Sequence, residues 1–127
     1  MPYRDVEQIF ILDTVDLENL KMDAYFIEEI TIQDDILNII ISYSGGCEKH
    51  YFKLVTSLNF TIVNRVYRSK LILSHDANGD MCKRIVEEHL YYDLSPLKKR
   101  YQKTYQSRSG IIFLIIQNFT LEYRFES

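Results

Sequence analysis

Hydrophobic and polar positions alternate with a period of two through most of this chain, which is the spacing of strands rather than helices. Residues 119–126 show it most cleanly: Phe119, Leu121, Tyr123 and Phe125 share one face, and Thr120, Glu122, Arg124 and Glu126 the other. Residues 36–43 likewise place Leu37, Ile39, Ile41 and Tyr43 together. Residues 24–33 alternate more loosely, with Tyr25, Ile27 and Glu29 opposite Phe26, Glu28 and Ile30, and Asp34-Asp35 then signals a turn. In 49–57, Phe52, Leu54 and Thr56 point inward. The run Ile111-Ile112-Phe113-Leu114-Ile115-Ile116 is apolar on both faces and predicts a central strand. Ile9-Phe10-Ile11-Leu12 predicts one strand near the start, followed by a short helical turn at Asp16–Leu20.

One segment departs from the two-residue period. Leu97, Tyr101 and Tyr105 recur at helical spacing behind Ser95-Pro96, so a helix over residues 95–106 is predicted, with Ser95 as N-cap and Pro96 at its first position. About seven short strands with regular turn signals then predict a single all-β domain spanning residues 1–127. Its expected form is an antiparallel β-sandwich, immunoglobulin-like or similar, carrying that one short helix.

Composition narrows the function classes. The 127 residues are 46% hydrophobic and 26% charged, with ten Tyr and seven Phe against four Gly, an aromatic balance that suits strands and one soluble domain. A net charge of −3 offers no field suited to nucleic acid. Lys98-Lys99-Arg100-Tyr101-Gln102-Lys103 is basic with interleaved aromatics, yet it reads more simply as a helix whose tyrosines pack and whose cations are solvated. No apolar run approaches the roughly 20 residues needed to cross a bilayer, so no membrane span is expected. The acidic N-terminal residues do not resemble a signal peptide, which points to a cytoplasmic protein with reduced thiols, or an exported one if a leader precedes the chain.

The candidate chemistry lies in two turn-rich segments, each with a cysteine near a histidine: Ser44-Gly45-Gly46-Cys47-Glu48-Lys49-His50 and His75-Asp76-Ala77-Asn78-Gly79-Asp80-Met81-Cys82. Asn78-Gly79 is a strong two-residue hairpin signal, because a type I′ turn needs positive φ at both central positions. A hairpin there pairs His75 with Cys82, Ile72 with Ile85, Leu71 with Val86 and Lys70 with Glu87. His75 and Cys82 would then stand about 4.5–5.5 Å apart at Cβ.

Three outcomes remain open for these residues. Cys47, His50, His75 and Cys82 could ligate zinc, since two thiolates and two imidazoles suit a tetrahedral site. A Cys47–Cys82 disulfide is the competing reading, and it would stabilise the fold by roughly 3–4 kcal/mol. The plainest reading is two reduced, buried cysteines beside hydrogen-bonded histidines. Residues 76–87 also mimic a calcium loop, but Met81 stands where that loop needs Gly. No oxyanion hole or phosphate loop accompanies the Cys/His pairs, so no catalytic residue is assigned and no cofactor beyond zinc comes into question.

The segments Tyr43-Ser44-Gly45-Gly46-Cys47 to Phe52, Leu73 to Cys82, and Tyr92-Asp93-Leu94-Ser95-Pro96-Leu97-Lys98 resemble an uncharacterised bacterial family of small β-sandwich domains. They are also similar to the C-terminal domain of NigD-like lipoproteins, over roughly residues 36–117. The resemblance implies a β-sandwich with a shared Cys/His cluster and no established activity, substrate or cofactor. Exported members would favour the disulfide, although this chain shows neither leader nor lipobox. The expectation is a non-enzymatic binding or structural domain whose Cys/His cluster lies at one end of the sheet, its partner unknown; a second class is protein or peptide binding through an exposed sheet edge. The alternative is a zinc-binding domain, a hydrolase included.

Overall fold

The computed structural model describes residues 6–12, 19–57, 61–63 and 66–126. Among these residues ten strands form two sheets, with one helix, α1 (Ser95–Tyr105). The first sheet has the order β1 (Val6–Gln8), β8 (Arg84–Asp93), β4 (Ile36–Gly45), β3 (Phe26–Gln33). The second runs β10 (Phe119–Phe125), β9 (Gly110–Ile116), β7 (Val66–Asp76), β5 (Tyr51–Ser57), β2 (Phe10–Leu12), and β6 (Thr61–Val63) also pairs with β7. The result is the expected sandwich, with more strands than the seven read from the sequence.

Alternation decides which faces meet. Leu37, Ile39, Ile41 and Tyr43 of β4 are buried, and they meet Leu54 of β5, Leu71 and Leu73 of β7, Ile112, Leu114 and Ile116 of β9, and Tyr123 and Phe125 of β10. β9 lies inside its sheet, between β10 and β7 rather than at an edge, in keeping with its double apolar face. The loose alternation of β3 has a local cause. Its register with β4 shifts between Ile27 and Glu29, and a bulge reverses which face the next residues take. Tyr25 and Ile27 before the shift, and Ile30 and Ile32 after it, all pack against the core.

The sandwich is not purely antiparallel. β1 runs parallel to β8, β2 parallel to β5, and β7 parallel to β9. The N-terminal segment lies along the end strands of both sheets: β1 extends the first, β2 extends the second, and Ile9 between them is buried and donates its N–H to the Asp93 carbonyl at 3.2 Å. Two short parallel strands thus replace the single strand expected there. The helical turn predicted at Asp16–Leu20 falls mostly outside the described residues.

Two-residue turns at Asp34-Asp35 and Gln117-Asn118 join β3 to β4 and β9 to β10, with φ of 56° at Asp34 and 51° at Gln117. Helix α1 occupies the predicted span, but its N-cap is Leu94 rather than Ser95, and the Asp93 side chain accepts the Ser95 N–H at 2.9 Å. Ser95 thus takes the first helical position, and Pro96 the second rather than the expected first. The same end of β4 is tied to the helix and to β10. Asp35 accepts bonds from Lys98 Nζ at 2.8 Å and the Tyr123 hydroxyl at 2.7 Å. Burial works against the Asp35 carboxylate, but these two donors outweigh it and hold its pKa below the ordinary value.

Gly110 lies under the Tyr101 ring, where a Cβ would stand 2.3 Å from a ring carbon. Gly110→Ala should therefore destabilise the domain by about 1–3 kcal/mol through overpacking. Tyr101→Leu should recover part of that loss in the double variant, as read by urea unfolding.

Candidate functional site

The Asn78-Gly79 turn forms as its residues dictate, with φ of 54° and 68° and an Asp80 N–H to Ala77 carbonyl bond of 3.0 Å. The hairpin it was expected to begin does not form. β7 and β8 belong to different sheets: Ile72 pairs with Val55, His75 with Phe52, Ile85 with Ser44 and Val86 with Tyr43. The chain turns and then crosses the sandwich. Ten register pairs with β4, from Ile36–Asp93 to Gly45–Arg84, take β8 into the first sheet, and six with β5 keep β7 in the second. A turn signal is local and cannot choose between these partners.

β4 crosses to β5 at the same end, through Gly46–His50, so two crossovers lie side by side. Asp80 joins them. Its Oδ2 accepts the N–H groups of Gly46 at 2.9 Å and of Cys47 and Glu48 at 3.1 Å, together with His50 Nε2–H at 2.8 Å, while Oδ1 accepts Cys82 N–H at 3.0 Å. The carboxylate is fully enclosed. The His50 bond comes first in lowering its pKa, and the backbone donors of Cys82, Glu48 and Cys47 add to this against the opposing effect of burial, so Asp80 is held well below the carboxylate range. A charged group in such a nest of amides is stabilised as an anion.

This geometry explains the glycines. A Cβ on Gly45 would stand 2.6 Å from His50 Nε2 and 2.7 Å from Asp80 Oδ2, and Gly46 has φ of 110°. One needs the space and the other the backbone freedom.

Cys47 and Cys82 form a disulfide between the same two crossovers, with Cα atoms 5.9 Å apart. The zinc set named from the sequence thus lacks its two thiolates here, since both sulfurs are bonded to each other. Asp80 lies close to them, but its oxygens already accept five hydrogen bonds. The expected neighbours are also exchanged: His75 meets His50 rather than Cys82.

His50 and His75 are both buried, and His50 Nδ1 lies 2.8 Å from His75 Nε2. His75 Nδ1 reaches the Asp23 carbonyl at 3.0 Å. The segment holding that carbonyl runs beside the end of β7, where the Lys21 carbonyl accepts the His75 N–H at 2.9 Å and Asp23 donates its own N–H to the His75 carbonyl at 2.9 Å. Tyr43 stacks on His50 with centroids 4.0 Å apart, and Phe52 on His75 at 4.4 Å. Tyr43 donates to Glu88, and burial followed by that carboxylate raises its pKa, so the phenol stays neutral. Asp80, Asp23 and Tyr43 complete this arrangement and were not read from the sequence. Asp80 could have been suspected, as an acid just past a tight turn between two cysteines. Asp23 carries no such signal, because its role depends on a backbone carbonyl. His89, the third histidine, is a surface residue 3.3 Å from Glu87.

Beside this locked end lies a groove of about 280 Å³, lined by Tyr25, Phe26, Ser44, His75, Ala77 and Ile85 among others. Phe26 and Ile85 are 73% and 80% exposed, and they pair with Ser42 and Ser44 on either side of β4.

Fold and site together define a two-sheet β-sandwich domain whose crossovers are clamped at one end by an acid, two imidazoles and a disulfide. The chain belongs to the family of NigD-like C-terminal beta sandwich domains, whose model matches residues 8–114. Among solved structures it is similar to a NigD-like immunity protein from Bacteroides caccae, with a TM-score of 0.67, 20% identity, and coverage of 92% of this chain and 58% of that one. It is also similar to a protein of unknown function from Bacteroides vulgatus, with a TM-score of 0.56, 16% identity, and coverage of 96% and 56%. At these identities the likeness concerns the fold, and this chain spans little more than half of either structure. No curated protein matches it.

Two variants test the clamp. Removing the disulfide by Cys47→Ser with Cys82→Ser should lower stability by about 3–4 kcal/mol, because the unfolded chain regains the freedom of a 35-residue loop. Urea unfolding measures this, and the intact mass of the parent should lie two hydrogens below the reduced value. For Asp80, a lowered folded pKa means that its stabilisation is present above the unfolded value of about 3.9 and is lost as pH falls below it. Asp80→Asn should be less stable near neutral pH and should lose less stability than the parent between about pH 4 and pH 2.

Proposed function

We propose that this is a non-catalytic binding domain, which takes an apolar side chain of a protein partner into the groove beside the locked end. The carrying observation is the exposure of Phe26 and Ile85 on the rims of that groove, since apolar rims around a preformed hollow are characteristic of docking surfaces. The chemistry beneath supports binding over catalysis. Asp80, His50 and His75 direct their hydrogen bonds to one another and to backbone groups rather than towards solvent. A surface held by a cross-link loses little freedom on binding, which favours affinity.

A protein as occupant is in keeping with the description of one structural neighbour as an immunity protein. The first sheet also ends on β3, the strand that carries Phe26, so an extended segment could lie along that edge while placing its side chain in the groove. The bonded cysteines support an oxidising setting, outside the cytoplasm, for this domain.

Short extended peptides with a central Phe or Leu serve as probes in amide NMR titrations of the oxidised protein. Shifts should concentrate at residues 24–27, 42–44, 77 and 85, and should vanish in Phe26→Ser with Ile85→Ser, two exposed changes that leave the core intact. Shifts scattered elsewhere, or unchanged in the double variant, would remove the groove from consideration.

A further inference from the structure

Hydrogens can be counted along the chain of contacts from Asp80 through His50 and His75 to the Asp23 carbonyl. Both ends of the chain are acceptors. Asp80 is an anion that already receives backbone N–H groups, so His50 Nε2 must carry a hydrogen to bond with it at 2.8 Å. A carbonyl oxygen cannot donate, so His75 Nδ1 must carry one too, at 3.0 Å. If each ring were neutral its hydrogen would now be placed, and His50 Nδ1 and His75 Nε2 would face each other as bare lone pairs at 2.8 Å. That separation is a hydrogen-bond distance, and it needs a hydrogen between the nitrogens.

We infer that His50 and His75 together hold three ring hydrogens, one more than two neutral imidazoles carry, so that the locked end is a binding site for a single proton shared by two rings.

The surroundings suit one positive charge and no more. Asp80 supplies the counter-charge in direct contact. The faces of Tyr43 and Phe52 cover the two rings at 4.0 and 4.4 Å, and an aromatic face attracts a cation. Burial first, and the charge on His50 in addition, hold down the pKa of His75 against the pull of the Asp23 carbonyl, which disfavours a second proton. Among the described residues, the other ionisable groups near the pair are committed elsewhere. The Asp23 carboxylate accepts Ala77 N–H, Asp76 accepts Asn78 N–H, the Tyr25 hydroxyl donates to the Leu73 carbonyl, and Glu88 accepts the Tyr43 hydroxyl. Lys49, beside His50 in sequence, lies over the exposed Tyr51 ring.

The consequence for stability has a definite sign. Unfolded imidazoles titrate near pH 6.5, so the unfolded pair binds two protons well below that pH and none well above it. With three ring hydrogens between them, the folded pair holds one proton on both sides of that pH. Stability contributed by the pair therefore rises with pH below about 6.5 and falls above it, and each arm approaches a tenfold change in the unfolding constant per pH unit.

Two measurements on the oxidised protein test this. Ring-nitrogen NMR near neutral pH should find hydrogens on His50 Nε2 and His75 Nδ1, and a third coupled to both His50 Nδ1 and His75 Nε2. Two hydrogens in total, or four, would overturn the inference. Urea unfolding between pH 5 and pH 8 should show a stability maximum for the parent relative to His50→Gln with His75→Gln. A difference that only rises with pH means two neutral rings, and one that only falls means two charged rings; either result rejects the shared proton. If the double variant does not fold, the parent spectrum decides the matter.

Discussion

A buried carboxylate is stable as an anion only when its surroundings supply the bonds that water would have made. At Asp80 that requirement organises one whole end of the domain. Its donors come from Gly46, Cys47, Glu48 and His50 on one crossover and from Cys82 on the other. Either crossover could bend in several ways on its own. Bringing five donors onto two oxygens leaves little choice, and it dictates a glycine where a Cβ would enter the nest. The crossovers then hand β4 and β5 to opposite sheets, and do the same with β7 and β8. One side chain thus ties these two crossovers together.

The disulfide and the carboxylate act on different states of the chain. The cross-link chiefly restricts the unfolded ensemble, and its effect depends on loop length. The Asp80 nest exists only in the folded state and depends on pH. At the far end of β4 the same logic recurs in milder form: Asp35 gathers Lys98 and Tyr123, joining the β3–β4 turn to α1 and β10. β4 therefore runs between two carboxylates, each tying it to elements outside its own sheet. Between them its buried face of Leu37, Ile39, Ile41 and Tyr43 fills the centre of the core.

Periodicity made much of this fold legible, and it did so where one face of a strand is buried. The faces of β4 and β10, the interior position of β9 and the turns at Asp34 and Asn78 all follow from local pattern. Pairing between strands was less accessible. A type I′ turn looks the same whether the chain folds back on itself or crosses to the opposite sheet, so Ile72 and Ile85 looked like partners although they lie in different sheets. Three-residue strands such as β1 and β2 are too short to show any period, and their parallel pairing depends wholly on the sheets they border. The sequence marked Cys47, His50, His75 and Cys82 as belonging to one end, and the structure joins them in like pairs, sulfur to sulfur and imidazole to imidazole. That exchange was illegible because it follows from the crossover and from Asp80.

The proton pair and the proposed docking groove share His75, which lines the groove on one side and bonds to His50 on the other. Ala77, another lining residue, donates its N–H to the Asp23 side chain, and the Asp23 carbonyl ends the chain of imidazole contacts. The shape of the groove wall and the number of protons on the rings are therefore set by the same few bonds. Losing the shared proton would leave two lone pairs 2.8 Å apart, and they could separate only if His75 or its partner strand moved. Phe52 stacked on one side and Tyr25 edge-on at 5.8 Å oppose that movement. The aromatic shell thus holds His75, and with it the groove wall, in place.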